Sequence, residues 1–456
     1  MALAEETLDP FGTEAALPLK PALRLGGAIG DPCAETISTG TLNLLEVVNL
    51  ALCNNPQTRE AWASARVQAA QVGVSKAGYL PNASLNASGN RNSPGISQRR
   101  VDLTLSYLLY DFGTRAANLE SAQQLLAAAN ATQDSTVQTI FLQAVQFFYQ
   151  TQAAQAALNA ALESERSAKE SFAAAEARYR SGSATPADKL QAQTAYSQAT
   201  LNSITANGSM NNTKGALANI LGLDANKNIV LAAANTTAIP ANFDRDISAL
   251  IEEARLRRPD LQAAAAQVKA AEAGVDVARA SGKPTISLTA STNRINGAGI
   301  TSHGSSAGLN VSVPLFSGFA PTYRIRAAEA QVETKNAQLE RLRLQVALDV
   351  WTAYQNLTTA MQSLRTTADL LSSAEQSERV ALGRYKAGVG SILDVLNAQS
   401  ALASARQQRI QSTFNWNIVR ATLAQAMGNL DASLLQDLSD GSQQPGANFQ
   451  RGKNQP

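Results

Sequence analysis

The chain has 456 residues, of which 16% are charged and 5% aromatic, and its net charge is +2. Soluble domains usually carry about 25% charged residues, and no Lys/Arg run here offers a nucleic-acid footprint. Two cysteines and one histidine (His303, in a Gly/Ser-rich stretch) leave too few ligands and bases for a metal centre or an assisted nucleophile, so neither cofactor nor enzyme activity is expected.

Residues 1–40 are rich in Pro and Gly without a period and read as an extended, partly mobile arm. The start, MALAEETLDP, has no apolar segment, so any signal peptide of an exported chain lies outside it. From Thr41 to about Tyr79 the spacing of Leu44, Leu45, Val48, Ala51 and Leu52 predicts a helix, kinked or split at Pro56. Cys53 falls in this helix. It could pair with Cys33, as suits an exported protein, or the two could be unpaired thiols.

After Pro81 the period becomes two. Ala83, Leu85 and Ala87, then Val101, Leu103, Leu105, Tyr107 and Leu109, alternate with polar residues and predict a hairpin over 83–110. From 115 to 180 the helical period returns without a proline, predicting a rod of roughly 100 Å. Val137, Ile140, Phe141, Ala144, Val145 and Phe148 form its apolar stripe. Residues 181–187 are a turn, with Pro186 in the first turn of a helix over 188–222 that Gly222 ends.

The order then recurs. RYRSGSATPADKLQAQ at 178–193 matches RYKAGVGSILDVLNAQ at 384–399, and residues 66–91 match 269–294. A linker at 223–245 thus separates two copies, 41–222 and 246–428. In the second, a helix at 246–281 leads to a hairpin over 285–316, with a Gly/Ser loop at 297–308. A long helix at 322–386, a turn at 387–391 and a helix at 392–428 follow, then a partly disordered tail at 429–456.

No stretch is apolar enough for a membrane helix. The strands, at about 9–11 residues, suit a tilted membrane strand with lipid on the apolar face and water on the other. Tyr107, Tyr110 and Phe112 in the first hairpin, with Phe316 and Phe319 in the second, could form an interfacial girdle. A soluble sandwich would show the same alternation. The long helices, with narrow Ala/Leu stripes, need partners along their length, as a ring of coiled coils supplies.

The doubled RY-x-x-G-x-x-x-x-x-D-x-L-x-A-Q turn, and the strand exits YLLYDFG (107–113) and VPLFSGF (313–319), resemble the outer membrane efflux protein family across about 42–428. The resemblance implies a mainly α trimer. Each chain would give four strands to a twelve-stranded β-barrel in the outer membrane, and long helices to an α-helical barrel crossing the periplasm. It implies an exit channel for small molecules or proteins in a tripartite efflux or type I secretion system. Its partners would be outer membrane lipid, a periplasmic adaptor, and an inner-membrane pump or ABC transporter. It further implies that Gly182, Ser183, Ala184, Gly388, Val389 and Gly390 dock the adaptor, and that Asp188, Asp394, Tyr385 and Tyr179 belong to the periplasmic gate. Asn397 stands where the family can carry a pore-narrowing aspartate, which makes Asp394 the alternative ring. Asp188 and Asp394 could equally be helix caps, and the two tyrosines interhelix packing. A pore-free periplasmic adaptor or scaffold is the other reading of such helices.

Overall fold

A computed structural model of the protein describes residues 9–17, 40–92, 96–232, 246–297 and 300–430. Helices α1 (Leu44–Asn54) and α2 (Pro56–Ala77) lead into β1 (Asn82–Asn92) and β2 (Ile96–Tyr110), then α3 (Thr114–Arg180) and α4 (Pro186–Ile220). Helices α5 (Ile247–Arg257) and α6 (Pro259–Ala280) lead into β3 (Thr285–Gly297) and β4 (Ile300–Ser312), then α7 (Ala320–Lys386) and α8 (Ile392–Ala426). Helix lengths match in the two halves: 11, 22, 67 and 35 residues. No helix among the described residues is long and apolar enough to cross a membrane.

Both α1 and α5 stop where a proline follows. Asn55 (ψ 128°) and Arg258 (ψ 123°) are extended, as a residue before proline prefers. The split at Pro56 matches expectation. The continuous helix expected over 246–281 is corrected to two, because Pro259 acts on Arg258 as Pro56 acts on Asn55.

The chain divides into two compact units, each drawn from both halves of the sequence. One holds the sheet, α2 from Ala61 onward, α6 and the N-terminal parts of α3 and α7. Its strands order β1-β2-β3-β4, all antiparallel. The Gly/Ser segment expected as a loop at 297–308 is largely strand: Thr301 to Gly308 pair residue by residue with Asn296 to Thr289, which also puts His303 on β4. Gly and Ser signal turns locally, but ladder hydrogen bonds to β3 override that preference. Val313 and Leu315, expected to continue the strand, lie beyond its end at Ser312, where Pro314 has no N–H to donate.

In the same unit, residues 9–17 depart from the extended arm expected there. A 3-10 turn, Thr13–Ala16, lies against α2 and α3. Thr13 is buried, Arg66 pairs with Glu14 at 2.9 Å, and Asn130 donates to the Ala16 carbonyl. Leu17 packs on Ala69, Val72, Ala122 and Leu126.

The second unit holds the main apolar core. Val137, Ile140, Phe141, Ala144, Val145 and Phe148, the stripe read from the sequence, are all buried with Val47, Val48, Leu52, Leu217 and Leu221. Cys53 is half-buried against this core, and the described residues include no free cysteine. Cys33 lies outside the described residues, as do most of the linker and the tail.

Candidate functional site

The sheet is the first functional element. Cross-strand partners share a face, so the register sorts every side chain. One face carries Ala83, Leu85 and Ala87 of β1, Val101, Leu103, Leu105 and Tyr107 of β2, Leu288 and Ala290 of β3, and Ala307, Leu309 and Val311 of β4. The other carries Ser84, Asn86 and Ser88, Asp102, Thr104 and Ser106, Ser287, Thr289 and Ser291, and Ser306, Gly308 and Asn310. Among the described residues the apolar face is uncovered: Leu85 is 69% exposed and Leu309 63%. A register shift between Leu108 and Tyr110 pairs Tyr110 with Ile286, so that Tyr107 and Tyr110 share the apolar face. Below them Tyr110 meets Phe112 edge-on at 4.7 Å, and Phe316 meets Phe319 at 5.6 Å. Phe112 and Phe319 both adopt positive φ, 53° and 62°, which holds these exposed rings at each strand-to-helix corner.

The second element lies in the other unit, where α3 turns into α4 and α7 into α8. Each long helix ends in a Schellman motif. Ser183 N–H donates to Arg178 carbonyl and Gly182 N–H to Tyr179; Val389 and Gly388 repeat this on Arg384 and Tyr385. Gly182 (φ 72°) and Gly388 (φ 80°) supply the left-handed residue. Gly390 is needed for space instead, since a Cβ there would sit 3.0 Å from Arg384 Cβ and 3.1 Å from Tyr385 N. Each following helix opens with a capping box. Asp188 N–H donates to Thr185 Oγ1 (3.2 Å) and Thr185 N–H to Asp188 Oδ2 (2.9 Å). Ser391 and Asp394 do the same at 3.1 and 3.3 Å. So the capping reading of both aspartates holds within one chain.

The two turns meet. Tyr385 is buried with Ala175, Ala192, Ile392 and Val395. The Arg178 guanidinium lies 4.2 Å from its ring centroid and donates to its carbonyl at 2.7 Å. The Tyr385 hydroxyl is buried without a hydrogen-bond partner. Tyr179, by contrast, is exposed, with Lys189 5.7 Å from its ring. Asp394 and Asn397 lie exposed on α8, and Ser183 and Val389 are exposed at the turns with Ala184 half-buried.

Arg178, Glu176 and Lys189 were not singled out from the sequence for this contact. Arg178 recurs as Arg384, a signal for the turn but not for its partner. Glu176 bridges α3 to α4 through Lys189 (3.1 Å) and also meets Arg180 (3.3 Å). The hydrogen bond from Lys189, then the Arg180 charge, hold its carboxyl below the ordinary value of 4.5. Higher on the same pair of helices, hydrogen bonds from Ser203 and Thr200 likewise lower Glu165. A depressed carboxyl stabilises fully above its unfolded pKa, and the gain is lost as pH falls through the folded value. Protection of the α3–α4 turn, taken relative to the intrinsic amide exchange rate, should therefore hold down to the ordinary carboxylate range and weaken as the pH falls below it. Glu176→Gln should flatten that profile; an unchanged acid response in this variant would refute the assignment.

A sheet with segregated faces, whose β1 and β4 edges are unpaired among the described residues, in a chain with two 67-residue helices, defines a barrel-forming channel subunit. The outer membrane efflux protein model matches residues 47–223 and 250–429. The chain belongs to the outer membrane efflux protein family, the exit channels of the outer membrane whose helices extend into the periplasm. Protein CyaE of Bordetella pertussis is 34% identical over 421 residues, spanning 90% of this chain and 89% of CyaE. Outer membrane protein TolC of Escherichia coli is 23% identical, spanning 88% and 85%. The fold is that of the Campylobacter jejuni CmeC outer membrane channel (TM-score 0.77, 19% identity, 93% of this chain and 98% of CmeC) and of the outer-membrane channel OprN (0.76, 23%, 85% and 90%).

Proposed function

We propose that three copies of this chain close their sheets edge to edge, β4 of one against β1 of the next, into a twelve-stranded barrel. The two-faced sheet with open edges carries the reading: in lipid every backbone polar group must be paired, and only closure removes the edges. The Ser/Thr/Asn face then lines the water path. A pore-free scaffold would have no use for such a sheet. The channel works with a periplasmic adaptor and an inner-membrane pump, to which it presents Gly182–Ala184 and Gly388–Gly390, and it exports small molecules or proteins. The solvent and toluene efflux pump outer membrane proteins of Pseudomonas putida, each 28% identical, support the small-molecule arm. The pairing of Cys33 with Cys53 belongs to the same proposal, since it would tie the arm to α1.

The gate is assigned to the turn region. Tyr385, Tyr179 and Asp188 hold the helix pairs together, and Asp394, with Asn397 one turn on, faces the axis. Three carboxylates drawn toward one axis attract cations. In planar bilayers the purified protein should conduct, run as a heat-sensitive trimer, and prefer cations. Asp188→Ala with Asp394→Ala should raise conductance and weaken that preference. The lost cap contacts alone are worth about 0.3–1 kcal/mol each. A fall in thermal stability with unchanged conductance and selectivity would reduce both residues to caps. A trimer that never conducts would sink the channel mechanism.

A further inference from the structure

The apolar face of the sheet ends in a row of arginines. Moving along the strands away from the helices, that face continues through Gly, Ser, Thr and Asn residues, with Arg91 on β1, Arg99 on β2, Arg294 on β3 and His303 on β4 among them. Arg294 pairs directly with His303. Arg99 is the diagonal neighbour of Arg294 across β2 and β3, and of Arg91 across β1 and β2. Diagonal neighbours lie about 7–8 Å apart. All four side chains are exposed, and none of the three arginines has an ion pair among the described residues. The only acidic residue in the four strands, Asp102, sits on the opposite face and holds Arg100 at 2.8 Å. The water-lining face is thereby neutralised and the lipid-side face is left cationic.

Like charges this close repel unless an anion lies between them, and guanidinium groups match phosphate oxygens in paired hydrogen bonds. Arg99 directly follows Val101 on β2, while Gly89 separates Arg91 from Ala87 and Thr292 separates Arg294 from Ala290. Ala87 and Val101 share one cross-strand row with Arg294 and His303, and Leu85 and Leu103 lie in the next with Thr292 and Ser305. A ligand here must therefore combine acyl chains along the band with phosphate at its rim. We propose that Arg91, Arg99 and Arg294, with His303 as a further hydrogen-bond donor, bind the phosphates of a phosphorylated glycolipid of the outer leaflet. The proposal rests on the reading that this face meets lipid.

The test uses the full chain in nanodiscs of phosphatidylcholine doped with bis-phosphorylated lipid A, and lipid retained after purification is counted by native mass spectrometry. The wild type should retain lipid A in preference to its dephosphorylated form. Arg91→Gln, Arg99→Gln and Arg294→Gln together should lower retention by about a hundredfold. The single variant Arg99→Gln gives a smaller loss should the triple assemble poorly, and Arg100→Gln, on the opposite face, should change nothing. Inorganic phosphate should not compete; if it displaces the lipid at millimolar concentration, the acyl part of the proposal is wrong. Wild type and triple variant that both insert and conduct, yet retain lipid A equally, overturn the headgroup site and leave the channel intact. A protein that stays in buffer without detergent overturns both.

Discussion

Leu105→Arg should abolish barrel assembly in the membrane, while Ser106→Arg, one residue along, should assemble and alter conductance instead. Leu105 lies in the most uniformly apolar row of the sheet, with Ala83, Ala290 and Ala307. It is 46% exposed, with no cover among the described residues. An arginine on the lipid face near mid-depth costs about 2–4 kcal/mol, and three copies bring the cost to roughly 6–12 kcal/mol per trimer. Ser106, paired with Asn82 and Thr289, is on the polar face, where the proposed barrel would keep a charge hydrated. Because side chains alternate with a period of two, neighbouring positions have opposite fates. Heat-modifiable trimer on gels reads assembly, and single-channel current reads the pore. If both variants assemble equally well, the assignment of faces is wrong.

Gly222→Ala should be the most damaging of the glycine substitutions in the helical region. Gly222 follows α4 with φ 70°, and a Cβ there would lie 2.4 Å from the Asn54 carbonyl oxygen and 2.8 Å from its carbon. Both are backbone atoms, so the seam between α1 and α4 must open. That seam also carries the Asn55 side chain's bond to the Ile220 carbonyl, at 3.0 Å. The left-handed conformation costs about 1–2 kcal/mol for a non-glycine residue, and overpacking adds about 1–3 kcal/mol. Gly428, the counterpart after α8, has φ 70° but its nearest contact would be Arg258 N at 3.0 Å, and Gly182 has φ 72° with nothing within 4 Å. The loss in thermal stability should therefore rank Gly222→Ala, then Gly428→Ala, then Gly182→Ala. Equal losses at the three positions would show that φ alone decides, and would remove the role given to the seam.

Much of the architecture was legible because its signals are local. The switch from period 3.6 to period two after Pro81 marks β1, and a return to 3.6 marks α3. Pro56, Pro186 and Gly222 punctuate helices through their own backbone limits. The failures share a cause. Pro259 carries the same signal as Pro56, but the helical pattern on both sides, alanine-rich after it, conceals it. The Gly/Ser run at 297–308 lacks large side chains, so its strand character comes from the ladder with β3 and not from its own residues.

The site divides in the same way. Asp188 and Asp394 could be read as caps from the turn that precedes them, and the capping boxes are contacts over three residues. Nothing local announces that Arg178 would lie on the ring of Tyr385, 207 positions away, or that Glu176 would reach across to Lys189. The docking of Thr13 on α2 was likewise not foreseen, as the arm has no period of its own.

Residue order alone determined the type and sequence of the elements, the helix ends at proline and glycine, and the division of the strands into a greasy and a wet face, because each follows from backbone preference and side-chain spacing within a few residues. Only the tertiary structure decided the strand register that sets three arginines on one diagonal, the pairing of Arg178 with Tyr385, and the close approach that makes Gly222 irreplaceable. Those depend on which distant surfaces pack together, and that choice is made by burial of the whole chain and not by any one segment.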